Sequence, residues 1–179
     1  MTAPVTLAEA KTHLNITAST YDVELQAFVD RATAAAETHL GHPIVVATVT
    51  ESHDGGSEAV RLRRVPEYPG VVAVTGVTED GAAVSASGYT VNTAAGLLYR
   101  VTGTWASGRQ NVAVTYTSGY STVPADLKLA VLEMVRHLWK TQRGGMDGRN
   151  PLGGDETAGT GWTYPRRVLE VLDGYKRTL

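Results

Sequence analysis

Two histidines near the end of the second predicted helix come nearest to a metal-binding pattern. His39 and His42 stand three positions apart, a spacing at which two imidazoles can share one metal ion. No third ligand lies close to them in the sequence. A histidine near the C-terminus of a helix is also favoured by the helix dipole, without any metal. The sequence therefore predicts no metal site.

The glycine-rich stretches lack the residues that would bind phosphate or a dinucleotide. Gly148 and Gly153 have the spacing of a phosphate-binding loop, but Gly154 stands where the lysine is needed. The chain contains neither a Gly-x-Ser-x-Gly elbow nor a His-Glu-x-x-His motif. It contains no cysteine, which excludes disulfides, thiolate nucleophiles and zinc–thiolate sites. None of these catalytic or cofactor-binding signatures is present, so we expect no cofactor.

Basic residues are densest at Arg61, Arg63 and Arg64. On an extended strand Arg61 and Arg63 lie on one side and Leu62 on the other. Such a face is typical of a solvated sheet surface, and it also suits binding to acidic groups of a neighbouring subunit or to phosphates. Residues 1–60 carry two basic and eight acidic residues, whereas the net charge of the whole chain is −2. This uneven charge fits either differently charged solvated faces or attraction to a partner. The overall balance, which has no basic excess, argues against a free-standing DNA-binding protein.

Helical periodicity predicts three helices, over residues 7–14, 22–40 and 125–142. Thr6 and Glu9 have the spacing of a capping box at the first helix. The third helix begins after Pro124 and is apolar on so much of its surface that we expect burial on more than one side. Either the protein's own β unit or a neighbouring subunit could supply the second cover. No apolar run reaches the length of about 18 residues that spans a membrane, so we expect no membrane contact.

Between residues 44 and 118 the pattern is that of short strands. β-branched runs separated by turn residues predict six strands, over 44–52, 60–64, 71–78, 89–92, 97–102 and 111–117. Close turns between them favour a small antiparallel β unit. The fold class is therefore α+β, a helical body with an inserted antiparallel β unit.

The pattern of the C-terminal region predicts a linker followed by a short helix. Residues 143–163 contain seven glycines, which predicts a flexible linker between residues 1–142 and residues 164–179. The final helix is predicted from Pro165 to Leu179. An amphipathic helix of this length is marginal alone in water, so it must dock on its own body or on a partner.

The order of these patterns resembles a known family. The segment Val5-Thr6-Leu7-Ala8-Glu9-Ala10-Lys11-Thr12-His13-Leu14 reads as "LxEAKxHL". The similarity continues through Asp22-x-x-Leu25, Leu40-Gly41-His42-Pro43, Val71-x-x-Val74-x-x-Val77, Asp80-Gly81, Tyr89-x-Val91, Gly96-x-Leu98-Tyr99, Trp105 and Val114-Thr115-Tyr116-x-x-Gly119-Tyr120-x-x-Val123-Pro124-x-x-Leu127. Over residues 5–142 the chain resembles the head–tail connector (adaptor) family of tailed bacteriophages, in its long β-containing branch, which is also found in gene-transfer agents.

This resemblance implies a structural virion protein and not an enzyme. Adaptors of this family assemble in the host cytoplasm as a homo-oligomeric ring of about twelve subunits, head to tail, in the virion neck. The ring lies under the portal protein, extends the DNA channel without reading the DNA, and provides the platform for a stopper or tail-completion protein. Two alternatives are a neck or stopper protein one layer lower, and a small ligand-binding or enzymatic domain with its site on the β unit.

The resemblance also suggests two sets of interface residues. The predicted portal-docking residues lie in the C-terminal segment and are Trp162, Tyr164, Arg166, Arg167, Leu169, Leu172 and Tyr175. Large aromatic and aliphatic anchors of this kind carry most of the energy of many interfaces. The predicted ring-interface residues are Leu129, Leu132, Val135, Arg61 and Arg63.

Overall fold

The structure is a computed structural model of the chain and describes residues 3–66, 71–143 and 164–176. It contains the helices α1 (Leu7–Leu14), α2 (Asp22–Leu40), α3 (Ala125–Arg143) and α4 (Arg166–Asp173). Its strands are β1 (Ala47–His53), β2 (Ala59–Arg61), β3 (Val71–Glu79), β4 (Ala82–Ala83), β5 (Tyr89–Asn92), β6 (Leu97–Arg100) and β7 (Val112–Ser118). The predicted α+β class, with a β unit inserted into a helical chain, is confirmed. The chain divides into two compact units, a helical unit (Met1–His39 and Val123–Gly174) and a β unit (Leu40–Thr122 and Tyr175–Leu179).

The helical unit is held together by the apolar faces of its four helices. Thr6 and Glu9 form the predicted capping box, in which each side chain binds the backbone N–H of the other residue. Helices α1 and α4 both pack against α3. Trp139 of α3 makes edge-on ring contacts with Tyr21 and Phe28, with centroids 5.5 and 6.1 Å apart. The buried residues of α2 and α3 include Leu25, Phe28, Val29, Ala32, Ala36, Leu127, Val131, Met134 and Leu138.

The β unit consists of two antiparallel sheets. One has the strand order β1-β7-β3-β4 and the other the order β2-β6-β5. Strand β7 lies between β1 and β3, and its residues alternate between buried and partly buried, as expected for a strand covered on one face. A shared core fills the space between the sheets, with Trp105, Tyr116, Leu98 and Leu62 among its fully buried residues.

Some predicted boundaries differ from the observed ones. Strand β2 ends at Arg61 rather than at residue 64. The Leu62 N–H still donates to the Gly96 carbonyl, but the N–H groups of Arg63 and Arg64 bind a carboxylate instead of a neighbouring strand. The last helix ends at Asp173, before Gly174, and not at Leu179. Gly174 is the C-cap residue, with its N–H bound to the Leu172 carbonyl, and Tyr175 belongs to the β unit. The predicted linker lies outside the described residues from residue 144 to residue 163.

Candidate functional site

The most connected polar cluster of the β unit surrounds Glu51. Strand β1 directs this side chain inward, where it is 9% exposed. The backbone N–H groups of Arg63 and Arg64 donate to its two carboxylate oxygens at 2.9 and 2.8 Å. The Tyr116 hydroxyl donates to Oε1 at 2.6 Å, and His53 Nε2 lies 3.2 Å from Oε2. One carboxylate therefore joins β1, β7 and the segment after β2.

The electrostatics of this cluster identify a structural brace and not a catalytic base. Burial raises the pKa of the Glu51 carboxyl, but hydrogen bonds from His53, Tyr116 and the N–H groups of Arg63 and Arg64 outweigh it and lower the pKa to about 2. Burial, together with the Glu51 carboxylate, raises the pKa of the Tyr116 hydroxyl, so this group stays protonated as a donor. A carboxylate with so low a pKa is a poor proton acceptor near neutral pH.

Sequence reasoning missed this cluster, although one indication was present. Val49, Glu51 and His53 alternate along β1 and therefore share one face of the strand. Val49 and His53 are buried, so a glutamate between them had to find partners inside. The partners themselves could not be identified from the pattern, since Tyr116 is 65 residues away.

Open clefts lie on the β unit and on the helical unit. One of about 490 Å³ is lined by His53, Asp54, Ala59, Val60, Arg61 and Arg63. In it Asp54 accepts the backbone N–H of Gln110 at 2.7 Å, so its carboxylate is engaged in holding a loop. Within residues 3–66, 71–143 and 164–176 there is no group of three side chains that could hold a metal ion. No helix in the same ranges is long and apolar enough to cross a membrane.

The residues predicted for the ring interface fall into exposed and buried classes. Leu129 is 44% exposed and is one of the few large apolar residues on the surface. Leu132 is half-buried, and Arg61 and Arg63 are exposed. Val135 is fully buried within its own unit, so it is not presented to a neighbour in this structure. Four of the five predicted ring-interface residues are therefore at least partly accessible: Leu129 and Leu132 on α3 of the helical unit, and Arg61 and Arg63 on the β unit.

The residues predicted for portal docking are likewise divided. Helix α4 packs on α3, with Val168 and Leu172 buried. Arg166 and Arg167 are exposed. Three further predicted residues are half-buried: Tyr164, Leu169 and Tyr175. Leu172 is buried, and Trp162 lies outside the described residues. The sequence allowed this helix to dock either on its own chain or on a partner. In this structure it docks on its own chain, against α3.

The histidines considered as metal ligands are engaged near the C-terminal segment. His39 Nε2 lies 2.8 Å from Asp173 Oδ1, an ion-pair distance between the ends of α2 and α4. His42 is buried, with Nδ1 3.0 Å from the carbonyl oxygen of Pro43 and Nε2 3.3 Å from that of Tyr175. Each ring therefore has partners that account for its placement.

Comparisons with known proteins extend over almost the whole chain. A family model described as "Head completion protein" matches residues 4–178. A chain in the structure "Neck of empty GTA particle computed with C6 symmetry" is similar with a TM-score of 0.68 at 19% identity, covering 98% of this chain and 92% of that one. A chain of "Virion of native gene transfer agent (GTA) particle" has a TM-score of 0.67 at 18% identity, covering 98% and 92%.

A third similar chain comes from "Neck of native GTA particle computed with C12 symmetry", with a TM-score of 0.66 at 18% identity, covering 97% of this chain and 90% of that one. At these identities the likeness shows a common fold. No curated protein matches the chain.

Proposed function

Because the chain belongs to the head completion protein family, we propose that it acts in the virion neck as a ring-forming head–tail adaptor. It is a structural protein and not an enzyme. The observation that carries the proposal is the match of the family model to residues 4–178. The similar chains come from gene transfer agent particles, two of them from necks computed with sixfold and twelvefold symmetry.

The surface of the chain supports assembly into a closed ring. A cyclic ring needs two different patches on each subunit, joined head to tail. The exposed Leu129 and the half-buried Leu132 supply apolar area on the helical unit, and Arg61 and Arg63 supply charge on the β unit. We assign these four residues to subunit contacts in a ring of about twelve.

The ring would enclose DNA without recognising its sequence. The net charge of −2 gives no strong attraction to a polyanion, so duplex DNA can pass without adhering. Beneath the portal protein, such a ring extends the channel and offers its far side to a stopper or tail-completion protein.

The C-terminal segment is the candidate contact with the portal. In the subunit, Val168 and Leu172 already fix α4 to α3. The residues available to a partner are therefore the exposed Arg166 and Arg167 and the half-buried Tyr164, Leu169 and Tyr175. Two adjacent arginines suit an acidic portal surface, since arginine binds carboxylates through two parallel hydrogen bonds.

Reconstitution with the portal protein of the same particle tests this function. Purified chain mixed with portal should add a collar of density in negative-stain images. A chain that stays monomeric and adds no collar would refute the adaptor function.

Variants of α4 test the portal contact separately. Arg166→Glu/Arg167→Glu should weaken portal binding by about tenfold or more while the melting temperature stays the same. Arg109→Glu, at an exposed arginine of the β unit, is the matched control and should bind normally. Equal portal binding by the wild type and the double variant would contradict the docking assignment.

A further inference from the structure

The outer face of α2 is largely exposed and carries one acidic side chain, Asp30. The residues along this face are spaced three to four apart, so they lie on one side of the helix: Val23, Ala27, Asp30, Ala34 and Thr38. Val23 is 87% exposed, Asp30, Ala34 and Thr38 are exposed, and only Ala27 is half-buried. Over its length α2 contains four acidic residues and one arginine. Asp30 lies at the middle of this face, where its carboxylate accepts a hydrogen bond from the Gln26 side chain.

The outer face of α3 has the opposite charge and larger side chains. Leu129, Leu132, Arg136 and Lys140 follow one another at spacings of three and four. Leu129 is 44% exposed, and the Arg136 side chain is 43% exposed. Over its length α3 contains four basic and two acidic residues. Glu133 holds Arg136 at 3.2 Å and itself lies 3.3 Å from His13, so the guanidinium has a defined position on the face.

The two faces match in length as well as in charge. Both helices have 19 residues, and Asp30 is the ninth residue of α2 while Arg136 is the eighth from the end of α3. Two such helices laid antiparallel with an offset of one residue, a shift of about 1.5 Å, therefore place Asp30 opposite Arg136. The same alignment brings the small residues Ala34 and Thr38 next to Leu132 and Leu129, which allows the helices to approach closely.

We propose that the outer face of α2 in one subunit packs against the outer face of α3 in the next copy of this chain, with Asp30 opposite Arg136. This inference rests on the proposed ring and adds the surface that receives Leu129 and Leu132. The contact joins two different patches, so it continues from copy to copy as a ring requires. Burial of an exposed leucine stabilises the contact, and the charge pair selects its register.

Disulfide cross-linking tests this contact directly, because the chain has no cysteine of its own. Asp30→Cys and Arg136→Cys are prepared as separate proteins and mixed in equal amounts on the portal. The mixture should give a cross-linked dimer on a non-reducing gel, and neither variant should cross-link by itself. A collar that forms without the cross-link, or a variant that cross-links with itself, would overturn the inference while leaving the adaptor function intact. Absence of any collar with the wild-type chain would overturn both.

A charge exchange gives an independent readout. Asp30→Lys and Arg136→Glu should each reduce the yield of collars by about tenfold, and the variant with both changes should restore it. Glu58→Lys, at an exposed acid of the β unit, is the control for net charge and should assemble normally. Circular dichroism melting separates a failure to fold from a failure to assemble. Failure of the double variant to recover collars, with all variants folded, would refute direct pairing of Asp30 with Arg136.

Discussion

The Glu51 carboxylate supports a quantitative prediction about stability and pH. A carboxyl whose pKa falls from 4.5 in the unfolded chain to about 2 in the folded one stabilises the fold by about 3 kcal/mol. Because the pKa is lower in the folded chain, the carboxyl stabilises the fold when it is ionised and ceases to do so when it is protonated. This contribution is complete above about pH 4.5, and it is lost progressively as the pH falls toward 2.

Glu51→Gln removes the charge and keeps the size of the side chain. The amide group has one acceptor oxygen, so the donors that bind the other carboxylate oxygen lose their acceptor. Since hydrogen bonds to a buried charged group contribute roughly 1.5–3 kcal/mol each, a net loss of about 3 kcal/mol at pH 7 is expected. Below pH 4.5 the wild-type protein loses the stabilisation that the ionised Glu51 carboxylate provides. The free energies of unfolding of the wild type and Glu51→Gln should therefore converge.

Urea denaturation followed by circular dichroism, at several pH values from 7 down to 2.5, measures this difference. Glu58→Gln replaces an exposed glutamate of the same unit and should change the free energy of unfolding by less than about 0.5 kcal/mol. Tyr116→Phe removes one donor and should cost about 2 kcal/mol at pH 7. A gap between wild type and Glu51→Gln that stays constant down to pH 2.5, or that is missing at pH 7, would refute the reasoning.

Two further predictions concern backbone geometry and the docking of α4. Gly119→Ala should lower the free energy of unfolding by roughly 2–4 kcal/mol, because φ is +120° and a Cβ would lie 2.7 Å from the Val45 carbonyl. Gly41 has φ +77° but open space around it, so Gly41→Ala should lower the free energy of unfolding by about 1 kcal/mol. Equal urea midpoints for these two variants would contradict the steric argument. Leu172→Ala should cost about 2–5 kcal/mol, whereas the half-buried Leu169→Ala should cost about 1 kcal/mol. A Leu172→Ala protein as stable as the wild type would show that α4 does not stay on its own helical unit.

Local sequence patterns were sufficient for most secondary structure. The apolar period of α2, the Thr6–Glu9 capping box and Gly41 after the helix are properties of neighbouring residues, so they could be predicted without tertiary structure. The alternation in β7 likewise showed its buried face. The order of such patterns along the chain also carried the family resemblance, which the family model bears out.

Tertiary structure decided which residues remain available for assembly. Leu129, Val135 and Leu172 are all apolar residues of helices, yet only Leu129 is exposed, because burial depends on segments distant in sequence. The role of Glu51 has the same origin, since its hydrogen-bond donors come from 12, 13 and 65 residues away. The sequence by itself therefore determined the elements and the class of protein. Only packing between distant segments decided which side chains became core, brace or surface, because a residue's periodicity shows which face it occupies and not what covers that face.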